Sequence, residues 1–197
     1  MPDPSFFQFC EKMLQHYRND EIVMHIGGTN FQDGIIRGDA SYYFSAITHV
    51  WGWATWRRAW EKYDVSIPTF PDMMKNHQFD KIFPDEKAKR FWLKNFDLVY
   101  ANNKDTWDIQ WMYTVSTNNG LTIIPNNNLV SNVGFDLGAT HTFNHSDPMA
   151  NRPTVPLHVI THPKGITVDL VADNYTYAKY LNPNKFRKLL RLLRQYT

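Results

Sequence analysis

Apolar residues recur at three- and four-residue steps over the first positions of the chain. Phe6, Phe9, Cys10, Met13, Leu14 and Tyr17 fall on one face, which predicts a helix from about Ser5 to Arg18. Ser5 with Gln8 three residues on has the spacing of a capping box at its start. The pattern then changes. Ile22 to Ile26 is a short run rich in β-branched residues, ended by Gly27-Gly28, and predicts a buried strand. Thr29 to Asp39 is polar and glycine-punctuated, so it reads as loop, and Tyr42 to Phe44 as a second strand. Trp51-Gly52-Trp53 suits a tight turn. A helix follows from Trp53 or Ala54 to about Tyr63, which would place Trp53, Trp56 and Trp60 on one core-facing side.

Pro68 and Pro71 punctuate a loop. Pro84 suits the first turn of a helix reaching about Tyr100, with Asp85 and Glu86 behind it. Another helix is predicted from near Trp107 to Asn118-Asn119-Gly120, with Thr106 as its N-cap and the glycine at its stop. Leu121 to Ile124 reads as a strand closed by Pro125, and residues 126–128 and 131–134 as loop. Leu157 to Ile160 and Ile166 to Leu170 read as strands, Asp173 to Leu181 as a helix, and Asn184 to Tyr196 as a basic helix. The mixture predicts an α/β fold with an incomplete sheet: one domain over residues 1–183, then a basic amphipathic helix over 184–197.

Composition narrows the functional classes. Of 197 residues, 43% are apolar, enough for a core, and 15% are aromatic. A net charge of +2 lacks the basic excess of a general nucleic-acid binder, so no nucleic-acid partner is expected. The single cysteine, Cys10, excludes an internal disulfide and suits a reducing, cytoplasmic setting; its apolar neighbours make it a small core residue. No run of 18 apolar residues is present, and the first residues lack the basic and apolar parts of a signal peptide.

Candidate chemistry gathers at the tryptophans. Trp51 and Trp53 at the glycine turn can offer flat rings to the C–H faces of a sugar. Arg57 and Arg58 can clamp a phosphate, or simply form a solvated face. Asp108, flanked by Trp107 and Trp111 in the first turn of a helix, stays ionised at the positive end of the dipole. It is either a general base or a plain charge–dipole match. Asp105 is the nearest other carboxylate. His141 with His145 and His158 with His162 have four-residue spacing that could serve zinc in a metallohydrolase, though neither pair lies on an obvious helix. There is no Gly-rich phosphate loop, serine nucleophile elbow or CxxC pair.

The order of the motifs Pro4-Ser-Phe-Phe7, Ile26-Gly-Gly28, Trp51-Gly-Trp53, Trp107-Asp108 and Gly138-Ala-Thr-His141 resembles bacterial GT-A-type glycosyltransferases, often given a haemolysin-like name. It is similar also to the C-terminal part of N-acetylglucosaminyltransferase I, and spans most of residues 2 to 145. The resemblance implies the acceptor-side portion of a GT-A-like nucleotide-diphospho-sugar transferase that inverts the anomeric centre. Asp108 would deprotonate the acceptor hydroxyl. Trp51, Gly52, Trp53 and Trp107 would form the sugar floor, Arg57 and Arg58 would meet the phosphate end, and His141 would touch the diphosphate or the metal. Two residues, Ile109 and Gln110, separate Asp108 from the next tryptophan, where the animal enzyme has one.

The family's nucleotide-binding half, with its acidic metal motif, would precede Met1, and the chain contains no Asp-x-Asp. A divalent cation, Mn2+ or Mg2+, would then find its main ligands upstream, and this chain alone would be inactive. The strand at Ile22 to Ile26 would present an unpaired edge and favour oligomers. The expected partners are a nucleotide-sugar donor and a glycan or lipid-linked acceptor, as in bacterial polysaccharide biosynthesis. Lys185, Arg187, Lys188, Arg191 and Arg194 alternate with apolar residues, suiting peripheral contact at the inner membrane face. The competing reading is a non-catalytic carbohydrate-binding module derived from such an enzyme.

Overall fold

The computed structural model describes residues 1–134 and 147–183. Helix α1 (Pro4–His16) is followed by strands β1 (Val23–Gly27), β2 (Tyr42–Ser45) and the two-residue β3 (Trp53–Ala54). Short helices α2 (Arg57–Trp60), α3 (Phe70–Lys75) and α4 (Phe79–Ile82) lead to the longer α5 (Glu86–Tyr100) and α6 (Asp108–Thr117). Strand β4 (Leu121–Pro125), helix α7 (Leu170–Thr176) and a π-helical turn (Tyr177–Leu181) complete the described elements. The fold is mixed α/β. Its sheet runs β2-β4-β1-β3, with β1 parallel to β4 and antiparallel to β3, and β2 antiparallel to β4. All five residues of β1 are buried, as expected of a strand covered on both faces. Paired on both sides, β1 is therefore not the unpaired edge that was expected; β2 and β3 are the outer strands.

Several boundaries differ from expectation for local reasons. The N-cap of α1 is Asp3, whose carboxylate accepts from the Ser5 N–H at 2.9 Å and from the Ser5 hydroxyl, so Pro4 and Ser5 already lie inside the helix. Trp53 and Ala54 pair with β1, leaving only Arg57–Trp60 as helix. The proline-rich loop holds α3 and α4, because Phe70, Met73 and Phe79 bury into the cluster under α5. Asp85, not Pro84, starts α5 by accepting from the Lys87 and Ala88 N–H groups. Residues 157–160 and 166–170 form no strands. They contribute one isolated bridge, Val168 to Phe44, and Leu170 already lies in α7. Helix α7 begins at Leu170, three residues earlier than expected.

The core falls into two main clusters. Phe6, Phe9, Met13 and Tyr17 of α1 pack on Val23, Ile26, Tyr42 and Phe44 of the sheet. Phe70, Phe79, Trp92, Phe96 and Tyr113 form an aromatic core between the helices. Fully burying one such ring stabilises by about 2 to 3 kcal/mol. Asparagine amides strap the irregular segments down. Asn126 donates to the carbonyls of Arg37 and Ala40, Asn127 to that of Pro156, and Asn128 to that of Pro153. Residues 138–141 and the basic tail 184–197 lie outside the described residues.

Candidate functional site

Gly52 turns the chain between the two tryptophans. Its φ of +66° is left-handed, and a Cβ there would meet Val130 Cγ2 at 2.5 Å, so only glycine fits. The turn sends its neighbours to different partners. Trp51 packs edge-on to Phe31 at 5.8 Å, whereas Trp53 stacks on Trp107 at 5.3 Å and on His25 at 5.3 Å. Trp56 is buried against α1, with its indole N–H on the Leu14 carbonyl at 2.9 Å. Trp60, expected in the core, is 40% exposed, and it stacks on Tyr63 at 4.6 Å. Trp53, Trp56 and Trp60 thus do not share one face, because β3 replaces the expected first turn of helix.

Trp53, Trp60, Tyr63 and Trp107 make a half-open aromatic face. Trp107 is 43% exposed. Beneath them Trp111 is fully buried and donates its indole N–H to His25 Nδ1 at 2.9 Å. His25 Nδ1 is therefore the acceptor, and Nε2–H donates to the His49 carbonyl at 3.1 Å. Burial pushes the His25 imidazolium down to about pKa 4, so the ring is neutral near pH 7 and packs flat against Trp53. Trp111 and His25 are the foundation that reading the sequence missed. Nothing local links positions 86 residues apart.

Asp108 opens α6 beside this face. The N-cap position belongs to Trp107 rather than Thr106, and Thr106 instead donates its hydroxyl to Asp108 Oδ1. The Ile109 N–H reaches the same oxygen at 3.0 Å. Oδ2 has no hydrogen-bond partner among the described residues. Gln110 holds the turn in place by donating to the Thr106 carbonyl at 2.6 Å. Burial first, then the charges of Asp108 and Asp64, push the Tyr63 hydroxyl up, so it remains a neutral donor, aimed at the Trp107 carbonyl at 3.4 Å. Asp105 is exposed.

No family model, curated protein or solved structure matches the chain.

The two arginines part company. Arg58 lies over the Trp56 ring at 4.6 Å and donates to the carbonyls of Tyr17, Arg18 and Val23. It closes the C-terminal end of α1, where a cation complements the dipole. Arg57 is exposed. Among the described residues no group of three or more His, Cys, Asp or Glu side chains could hold a metal ion. His162 stacks on His16 at 3.9 Å and shares a hydrogen bond with the Tyr42 hydroxyl, while His141 and His145 lie outside the described residues. No described helix is long and apolar enough to cross a membrane.

A second polar centre was not legible in the sequence. Asp33, at φ +54°, accepts from Arg152, Lys179, Tyr175 and Tyr180. Burial opposes ionisation there, but these four donors hold the carboxyl well below its usual range. The partners lie 119 to 147 residues away, so the centre ties the α7 region and the 150s to the first loop.

Proposed function

We propose that the aromatic face binds a sugar ring and that Asp108 is the base of an inverting glycosyl transfer. The observation that carries this is the juxtaposition of exposed Trp107, stacked on Trp53, with a half-buried carboxylate whose Oδ2 has no hydrogen-bond partner among the described residues. The acceptor hydroxyl gives its proton to Asp108 as its oxygen bonds to the anomeric carbon of a nucleotide-diphospho-sugar. The bond from that carbon to the diphosphate oxygen breaks, and the nucleoside diphosphate leaves with the electron pair. Ground-state stacking supplies orientation, and the base supplies about two to four orders of magnitude in rate. The order of the sequence motifs supports a GT-A-like, acceptor-side origin. Gly52 sets the turn that aims Trp53 at the floor and Trp51 at Phe31, and Arg57 is an exposed cation available to a phosphate. Among the described residues no group of three or more His, Cys, Asp or Glu side chains could hold Mn2+ or Mg2+, and His141 would contact the diphosphate. A cytoplasmic setting fits the lone buried Cys10.

A non-catalytic carbohydrate-binding module is the second reading, favoured by exposed rings that need no metal to stack on a sugar. Calorimetry with glycans, and with nucleotide sugars plus manganese, separates them. Trp107→Ala should weaken glycan binding under either reading. In an enzyme completed by its donor half, Asp108→Asn should keep binding and lower transfer by about two to four orders of magnitude. A wild-type chain that binds neither glycan nor nucleotide sugar would overturn both.

A further inference from the structure

Helix α5 borders a groove that shares no residue with the tryptophan face. The groove has a volume of about 550 Å3 and lies between α5 and the end of the π-helical turn. Lys87, Arg90 and Lys94 line it at three- and four-residue spacing, so they form one stripe on the helix. Phe91, Leu98 and Leu181, all half-buried, give it an apolar wall.

Among the described residues the positive charges are uncompensated. None of the three cations has a carboxylate within 4.0 Å among the described residues. Lys89, on the same helix, is by contrast paired with Asp80 at 2.7 Å and Glu86 at 2.6 Å. Arg90 uses only Nε, on the Glu86 carbonyl, and its terminal nitrogens make no hydrogen bond among the described residues. Lys104 adds a fourth charge by donating to Asn95 Oδ1 of the same lining at 3.0 Å. Residues 184–197, which follow directly after Leu181–Pro183, carry five basic residues and no acidic one, so that segment cannot neutralise the groove. A lone inorganic phosphate would leave most of the volume and the apolar wall unmatched. An array of phosphates above glycerol and acyl carbons matches cations and wall together.

We infer that the α5 groove docks on an anionic phospholipid surface. The test is flotation of the full chain with vesicles of phosphatidylcholine alone or mixed with phosphatidylglycerol. Wild type should float only with the anionic vesicles, and less at high salt. The triple variant Lys87→Gln/Arg90→Gln/Lys94→Gln should partition on the order of a hundred-fold less, at about fivefold per basic residue. Its circular dichroism and melting should match wild type, since all three side chains are exposed. The control Lys12→Gln/Arg18→Gln/Lys62→Gln removes the same charge from other elements and should bind as wild type. Equal loss in the control would mean bulk charge alone acts and would overturn the inference. So would full binding by the triple variant together with complete loss on deleting 184–197, which would place the contact in the tail. Absence of wild-type binding to anionic vesicles, or complete displacement by soluble glycerol phosphate, would also overturn it.

Discussion

Replacing Asp173 by asparagine should change how stability responds to pH by a calculable amount. Asp173 lies on α7, half-buried against β2. Its Oδ1 accepts from the Ser45 hydroxyl at 2.5 Å and its Oδ2 from the Ala46 N–H at 2.9 Å. Burial pushes its carboxyl up from 3.8 to about 6; the two hydrogen bonds oppose the rise, and the Asp169 charge adds to it. The folded chain therefore binds this proton more tightly than the unfolded chain. Its contribution grows as pH falls from about 6 toward 3.8, and is lost as pH rises through 6. Between about pH 7 and about pH 4, linkage gives about 2 kcal/mol in favour of wild type, a shift that Asp173→Asn cannot show. The asparagine carbonyl can accept from Ala46 and its amide can donate to Ser45, so the fold should persist. Urea denaturation of both proteins across that range measures the difference. His25 and His49 have their imidazolium pKa values lowered by burial, to about 4 and about 3. Both proteins lose stability to them as pH falls below about 6.5, and the difference cancels that common loss. A difference flat to within about 0.5 kcal/mol would show that Asp173 titrates alike folded and unfolded, and would refute the burial argument.

Three further substitutions probe the site's framework. Gly52→Ala adds left-handed strain and a clash with Val130, and should cost about 2 to 4 kcal/mol in urea denaturation. A double-mutant cycle with Val130→Ala should return a favourable coupling energy, and zero coupling would dismiss the clash. Trp111→Phe leaves His25 Nδ1 buried without a donor and should cost at least about 1 to 3 kcal/mol, read by the same assay. Arg58→Met should destabilise by about 1 to 3 kcal/mol, because three carbonyls lose their donor; Arg58→Lys should restore little, since one ammonium cannot reproduce the guanidinium fork. Unchanged stability in Arg58→Met would release this residue for a phosphate role.

The parts of the fold legible in the sequence are those whose cause is local. The α1 face, the β1 run, β4 up to Pro125 and the body of α5 each show their period within a dozen residues. The Trp51-Gly52-Trp53 turn was legible because only glycine takes that backbone without strain. Asp108 at a helix start was legible for the same reason, a charge next to a dipole. Residues 157–160 and 166–170 have strand composition, yet the Leu157 N–H and the Val159 carbonyl are met by the hydroxyls of Ser5 and Ser41, and the second stretch makes only the isolated bridge at Phe44 before Leu170 opens α7.

Sequence alone determined the α/β class, the placement of the main helices and strands, and the gathering of tryptophans near one carboxylate, since these follow from periodicity, propensity and short-range spacing. Only the tertiary structure decided which tryptophans meet. The two-residue pairing of β3 with β1 carries Trp53 to His25 and Trp107, sends Trp56 into the α1 core and leaves Trp60 half in solvent. It likewise committed Arg58 to main-chain carbonyls and gathered four donors around Asp33. These contacts join positions tens to more than a hundred residues apart. Their energy depends on burial and on the direction of single hydrogen bonds, quantities that exist only once the chain has closed on itself.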